Sequence, residues 1–332
     1  MKSRIIGTGS YAPDKVITNH DLEGMVETSD EWIRSRTGIR ERRVAVDEGA
    51  SEMASKAARR ALKAAGLSAR DIDLVVVGTV TPDMAFPSTA CFVQSRLGIR
   101  SGVPAFDVAA ACSGFLYAID VADRYVRTGA AARALVVGVD KFSELIDWTD
   151  RTTCVLFGDG AGAVVLSAEK GGRGGRGGRG GRGILSSHIH SDGRKWDMLY
   201  TKGTCLRSPF EKESDCDPFL KMHGNDTFKV AVRTMEAAVR EALDSNGLGT
   251  EDVGLLIPHQ ANERIINATR ERLKLPEDRV YTNLDRYGNT SAGSIPLALD
   301  EAVCAGRVAD GDILIFVAFG GGLTWASTAV RW

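Results

Sequence analysis

Between positions 228 and 243 the apolar residues Phe228, Ala231, Val232, Met235, Val239, Ala242 and Leu243 recur at three- and four-residue spacing. That spacing puts them on one face of a helix. Gly247 stands where such a helix should stop, because glycine takes the left-handed C-cap conformation without steric cost. A short unbroken apolar run, Leu255-Leu-Ile257, comes next. A run without alternation predicts a strand covered on both faces. The same order occurs earlier, with Gly66 as the stop and Leu74-Val-Val-Val77 as the strand.

The two stretches also match residue by residue. Gly66, Leu67 and Asp71 correspond to Gly247, Leu248 and Asp252 at an offset of 181. Ala118-Ile-Asp120 matches Ala298-Leu-Asp300 at an offset of 180, and Ala134-Leu-Val-Val-Gly-Val139 parallels Ile313-Leu-Ile-Phe-Val-Ala318. An offset that holds over this span indicates an internal repeat. Each copy reads helix, strand, helix, strand, helix, strand, which predicts parallel strands with crossover helices. The expected fold class is α/β, built from two pseudo-symmetric halves, residues 1–183 and 184–332.

Composition narrows the function classes. Of 332 residues, 43% are hydrophobic and 26% charged, with a net charge of −1, so no global field attracts nucleic acid or an anionic membrane. No apolar run approaches the ~18 residues of a membrane span, and no secretory signal opens the chain, so a cytoplasmic location is expected. Six cysteines contain no Cys-x-x-Cys pair, which argues against a zinc knuckle or redox motif. Residues 171–183 form four Gly-Gly-Arg units and a final glycine, with Arg173, Arg176, Arg179 and Arg182 as the only side chains. With nothing apolar to bury, this insert is expected to be a mobile loop. An arginine–glycine nucleic-acid box is the competing reading, but four arginines make a small footprint on a chain that is not basic.

Candidate chemistry falls at a few points. In Phe106-Asp-Val-Ala-Ala-Ala-Cys112-Ser-Gly the cysteine sits where a strand turns into a helix. A helix N-terminus favours thiolate and offers N–H donors to an oxyanion; a buried structural cysteine among alanines fits the same pattern. His259, in Leu255-Leu-Ile-Pro-His259-Gln-Ala-Asn262, follows a buried strand at its C-terminal end, where parallel sheets form sites. Asn289, in Arg286-Tyr-Gly-Asn289-Thr-Ser-Ala-Gly-Ser-Ile-Pro296, precedes the helix that the repeat equates with the one Cys112 opens. Symmetry should therefore bring Cys112 and Asn289 together. A glycine turn, Phe319-Gly-Gly-Gly322, ends the adjacent strand. The stretch Phe157-Gly-Asp-Gly-Ala-Gly162 precedes an apolar strand, not the helix that phosphate binding needs. His188 and His190 alternate as on one strand face, but further ligands for a metal are missing.

Together, the motifs around Cys112, His259, Asn289 and Trp325 resemble the β-ketoacyl-acyl-carrier-protein synthase III family of the thiolase-like fold. The resemblance covers nearly the whole chain apart from the Gly-Gly-Arg insert and residues 202–221. It implies an α-β-α-β-α layered structure. It also implies a reaction: Cys112 takes an acyl group from acyl-CoA, malonyl-acyl-carrier-protein loses carbon dioxide, and the carbanion attacks the acyl-cysteine. His259 and Asn289 would hold the enolate oxygen, and the N–H groups of Cys112 and Gly321 the oxyanion. No metal or resident cofactor is expected, since the CoA thioesters are substrates.

The resemblance assigns further positions. In Thr28-Ser-Asp-Glu-Trp32-Ile-Arg-Ser-Arg36-Thr37, Trp32 would stack on the CoA adenine, with Arg36 and Thr37 nearby and Arg151 on the other side of the base. Gly224, Phe228, Ala261, Asn262 and Arg264 would line the pantetheine tunnel, and Phe319 the acyl pocket. Phe86 would reach across a homodimer to close that pocket. Lys229, Arg264 and Arg272 would form a basic patch for an acidic carrier protein. Two departures, the long charged stretch 202–221 and Leu323 in place of an aromatic, bear on which acyl group fits. A related priming synthase of secondary metabolism is the alternative function.

Overall fold

The computed structural model describes residues 2–169, 181–202 and 217–332. The first half contains β1 (Lys2–Tyr11), β2 (Val16–Thr18), α1 (Asn19–Glu23), α2 (Asp30–Thr37), β3 (Glu41–Arg43), α3 (Ala50–Ala64), β4 (Leu74–Gly78), α4 (Thr89–Leu97), β5 (Ala105–Val108), α5 (Gly114–Thr128), β6 (Arg133–Lys141) and β7 (Asp159–Glu169). The second contains β8 (Gly183–Ser191), β9 (Leu199–Tyr200), β10 (Lys221–Met222), α6 (Gly224–Asp244), β11 (Val253–Pro258), α7 (Glu263–Leu273), α8 (Leu284–Tyr287), α9 (Ser294–Cys304), β12 (Ile313–Gly320) and β13 (Thr324–Arg331).

The strand order repeats. One sheet runs β1-β7-β6-β4-β5 and the other β8-β13-β12-β11. In place of a fifth strand the second sheet has a single parallel bridge from Leu256 to Val280. β4 pairs parallel with β5 and β6, β11 pairs parallel with β12, and the remaining long pairs are antiparallel. The local signals behind the repeat have physical causes. Gly66 and Gly247 have φ of 66° and 61°, the left-handed caps that glycine tolerates. Asp71 accepts from the Ser68 N–H at 2.9 Å and Asp252 from the Gly249 N–H at 2.8 Å. Each aspartate caps the short turn that feeds β4 or β11.

The strands split their side chains between layers. Leu74 and Val76 of β4 join α5, α9 and the inner face of the second sheet, including Ile257 and Phe316, in one core. Val75 and Val77 face α3 and α4 in another. Leu256, Ile315 and Val317 face α6 and α7 in a third. The result is the layered α-β-α-β-α fold, with α5 and α9 between the sheets.

What lets α5 and α9 lie so close is a row of glycines. Gly78 on β4 stands opposite Gly138 on β6, which stands opposite Gly162 on β7. A Cβ on Gly78 would strike the Gly114 backbone, and one on Gly138 the Ala292 carbonyl. One on Gly162 would come within 2.6 Å of the Leu297 nitrogen. The first turns of both central helices thus rest on bare sheet backbone. The stretch read as a failed phosphate loop supplies Gly162, inside β7.

The Gly-Gly-Arg insert lies outside the described residues up to position 180. Arg182 pairs with Asp310, and Gly183 already belongs to β8. Cys205 and Cys216 also lie outside the described residues. Gly138→Ala should lower stability by roughly 1–3 kcal/mol through overpacking, read as a lower urea midpoint. It should also displace the 291–293 turn, so the folded fraction should lose activity.

Candidate active site

Cys112 lies in a 3₁₀ turn, Ala111–Ser113, that opens directly into α5. Ala111 has a φ of 45°, a costly conformation for a residue with a Cβ. Tertiary bonds hold it: the Thr324 hydroxyl donates to Ala110 O at 2.9 Å and the Ser113 hydroxyl to Thr324 O at 3.2 Å. Gly320 closes the other side, where a Cβ would stand 2.8 Å from the Cys112 nitrogen.

The symmetry-related turn, Ser291–Gly293, opens α9. Ser291 has a φ of 50° and matches Ala111, so Ala292, not Asn289, is the strict counterpart of Cys112. Asn289 stands three residues earlier. Its N–H donates to Leu156 O at 2.8 Å and its carbonyl accepts from Gly158 N at 3.1 Å. Its Oδ1 accepts from the Ser291 N–H at 2.9 Å, which leaves the amide NH2 as the free donor.

His259 follows β11, as expected, and is buried. Its Nδ1 pairs with the Ser294 hydroxyl at 2.7 Å, and that oxygen also takes the Gln260 N–H at 3.5 Å. A Ser294 hydroxyl that donates to Nδ1 leaves the ring proton on Nε2, on the ring's other side. Burial pushes the His259 pKa down to about 3, so the ring is neutral. Burial also pushes the Cys112 thiol up to about 12. Burial thus opposes the thiolate that the helix N-terminus favours.

Cys112, His259, Asn289 and Phe319 line one cavity of about 590 Å³. Its walls include Trp32, Arg36 and Thr37 from α2, Gly224, Phe228 and Lys229 from α6, and Ala261, Asn262 and Arg264 around the start of α7. Several of these have structural duties too. The Thr37 hydroxyl donates to Ile33 O at 2.6 Å and accepts from Ile39 N at 3.0 Å. Asn262 caps α7 and donates to Arg36 O at 3.1 Å. The Arg264 guanidinium lies over the Phe228 ring.

Four predicted residues stand apart from the walls. Arg151 lies directly on Trp32, 4.6 Å from the ring centroid, with no space between them for a base. Gly321 faces Leu199, and its neighbour Gly320 is the glycine against Cys112. Arg272 is bound to Glu236, which also holds Arg240. Phe86 is 84% exposed, away from this chain's own cavity. Leu323 is buried in the core outside the cavity wall. His188 and His190 share one face of β8, and both approach Glu241. Among the described residues no group of three or more His, Cys, Asp or Glu could hold a metal ion.

The sequence matches the family model for 3-oxoacyl-[acyl-carrier-protein (ACP)] synthase III over residues 106–193, and the model for its C-terminal part over residues 243–332. A β-ketoacyl-[acyl-carrier-protein] synthase III of Alkalilimnicola ehrlichii is 55% identical over 331 residues, 99% of each chain. The chain belongs to the β-ketoacyl-[acyl-carrier-protein] synthase III family. It is therefore a condensing enzyme of the acyltransferase type. The crystal structure of the 3-oxoacyl-[acyl-carrier-protein] synthase III from Aquifex aeolicus superposes with a TM-score of 0.90 at 47% identity, covering 99% of this chain and 100% of that one. The priming β-ketosynthase from the R1128 polyketide pathway has the same fold, with a TM-score of 0.89 over 99% of this chain and 96% of that one, but is only 36% identical. The fatty-acid reading is favoured over the polyketide one.

Sequence reasoning missed Ser291, Ser294 and Asp140. The last was detectable as a buried-strand acid, at the penultimate position of β6 after its apolar run. For this condensing enzyme the neutral His259 has a thermodynamic consequence. Its folded pKa lies below the ordinary 6.5, so the unfolded chain takes a proton that the folded one refuses. Stability is lost as pH falls from about 6.5 toward 3, at up to about 1.4 kcal/mol per pH unit. A His259→Gln variant should lack that component in urea titrations at pH 7 and pH 5. An imidazole NMR signal from His259 titrating near 6.5 would contradict it.

Proposed function

We propose that the enzyme performs the initiating condensation of type II fatty-acid synthesis, joining an acyl group from acyl-CoA to malonyl-acyl-carrier-protein with release of CoA and carbon dioxide. One observation carries this reading: buried Cys112, His259 and Asn289 share a cavity with the exposed cations Arg36, Lys229 and Arg264. A thioester arm can enter between the cations and reach the thiol. The halves divide the work, 1–183 bringing the nucleophile and 184–332 the histidine and asparagine.

In the first step the Cys112 sulfur adds to the acyl-CoA carbonyl, the thiol proton passes to the departing CoA sulfur, and the acyl group stays on Cys112. Covalent storage splits one hard condensation into two easier steps. The oxyanion rests between the N–H groups of Cys112 and Gly321, at the point where Gly320 brings the end of β12 against the cysteine. In the second step the malonyl thioester loses carbon dioxide. Its enolate oxygen takes hydrogen bonds from His259 Nε2–H and the Asn289 amide, both neutral donors. The carbanion then attacks the acyl carbonyl, Cys112 leaves as a thiolate, and a proton from solvent restores the thiol.

The outer cavity handles the carriers. Lys229 and Arg264 suit an acidic carrier protein, while Arg272 shares its charge with Glu236 and contributes less. The CoA adenine enters by parting Arg151 from Trp32. A homodimer in the cytoplasm fits two features: Phe86 and the half-exposed Met84 lack apolar cover within the chain, and no described helix is long and apolar enough to cross a membrane.

Mass spectrometry of the enzyme mixed with a panel of acyl-CoAs should find one acyl adduct, on Cys112, whose mass identifies the primer. No adduct with any of them, or one that persists in Cys112→Ala, overturns the reading. His259→Ala and Asn289→Ala should still acylate but release no carbon dioxide from malonyl thioester. Trp32→Ala should raise the KM for acyl-CoA about tenfold with kcat nearly unchanged, the scale of one lost base–aromatic stack.

A further inference from the structure

The reaction as proposed leaves one polar group at the nucleophile unused. The Ser291 hydroxyl donates to the Cys112 sulfur at 3.4 Å. Ser291 is buried and belongs to the opposite half of the molecule. Its counterpart in the first half is Ala111, which has no donor.

The turn that aims this hydroxyl is built with care. The Ser291 N–H is held by Asn289 Oδ1. The next N–H, that of Ala292, donates to Asp140 Oδ2 at 3.1 Å. Asp140 ends β6 and is fully buried. Its other oxygen accepts from Val80 N at 2.8 Å and from the hydroxyls of Thr79 and Thr81, each at 3.0 Å. Burial keeps its carboxyl above the usual range. Asp140 therefore anchors the turn, and because its carboxylate also draws on the Ser291 hydroxyl, that hydroxyl stands between two acceptors, the carboxylate and the sulfur.

We propose that Ser291 is a further catalytic residue, whose hydroxyl stabilises the Cys112 thiolate both when the sulfur attacks acyl-CoA and when it leaves the condensation product. The sulfur carries most negative charge at those two moments, and a hydrogen bond to a charged acceptor is worth more than one to a thiol or thioester. The bond costs the resting thiol little and lowers both barriers. No atom is transferred through Ser291: the hydroxyl keeps its proton.

The surroundings leave few alternatives. β12 and the 291–293 turn carry no titratable side chain. β13 carries only Arg331, at its far end. On α5 the nearest is Tyr117, whose hydroxyl is spent on His190 O at 2.7 Å. That leaves His259, neutral, and Asp140, whose charge opposes the thiolate.

This inference rests on the condensing role of Cys112 but can be tested apart from it. Iodoacetamide alkylates a thiolate whatever the enzyme's substrate, so the pH dependence of Cys112 alkylation reads the thiol directly. Two variants remove the hydroxyl with opposite effects on the backbone. Ser291→Gly relieves the positive φ, and Ser291→Ala keeps the strain. Both should slow Cys112 alkylation at a fixed pH between 7 and 9 about tenfold, the fall in thiolate fraction that one pH unit represents, and both should slow acylation and condensation about tenfold alike. A wild-type alkylation rate in Ser291→Gly, or a slower rate in Ser291→Ala alone, overturns the proposal, because backbone geometry would then be the cause. If the wild type forms no acyl adduct, the functional reading fails, while the alkylation profile still decides what Ser291 does to the thiol.

Discussion

The architecture of this enzyme depends on a close approach of backbone to backbone. Gly78, Gly138 and Gly162 form a bare strip across three neighbouring strands, and the first turns of α5 and α9 rest on it. Any side chain there would lift one helix start from the sheet. Cys112 sits in one of those turns and Ser291 in the other, so the strip sets how far the proposed nucleophile lies from the groups that serve it. Gly114 continues the contact, with a would-be Cβ 3.5 Å from the Ala292 Cβ. Where two turns touch through glycine and alanine, little is left to flex.

Close packing of this kind removes water, and removal of water decides the charges. Cys112 and His259 are both driven toward their neutral forms by burial. A resting thiolate–imidazolium pair would pay a desolvation penalty on both partners. A neutral imidazole suits the proposed second step better, because with its proton on Nε2 it would donate to an enolate without first giving up a charge. In the proposed reaction the cost falls on the first step, which needs a sulfur anion at the moment of attack. Hydrogen bonds that act only on the developing anion answer that need, and they have to come from groups that carry no charge.

Much of the fold was legible in the sequence because its signals are local. A glycine at a helix end, an aspartate capping the turn before a strand and an unbroken apolar run each state a conformation within a few residues, and all three occur twice. The candidate site was only half legible. Cys112, His259 and Asn289 stand at element ends that the pattern located. The anchors Asp140, Ser291 and Ser294 act across 35 to 179 positions of chain, and no local pattern reports such pairings. The burial that opposes a Cys112 thiolate was hidden for the same reason: the helix dipole is visible in sequence, whereas burial is a property of the packed molecule. Gly162 was read as part of a failed phosphate loop, although a glycine inside a strand signals close backbone approach.

The two halves share a plan, and the chemistry lies where they differ. Both place a positive-φ residue one position ahead of the site turn's centre, Ala111 in one and Ser291 in the other. At the centre itself one half has a cysteine and the other an alanine. Beneath the turns, Asp140 at the end of β6 corresponds to Phe319 at the end of β12. The first half therefore offers a sulfur and the carboxylate that pins the opposite turn, and the second offers a hydroxyl and the apolar wall beside the sulfur. A perfectly symmetric pair would give two cysteines with no donor, or two donors with no nucleophile. Because the turns face each other, each half supplies what the other lacks, and divergence at three positions is enough to turn a repeated scaffold into a directed site.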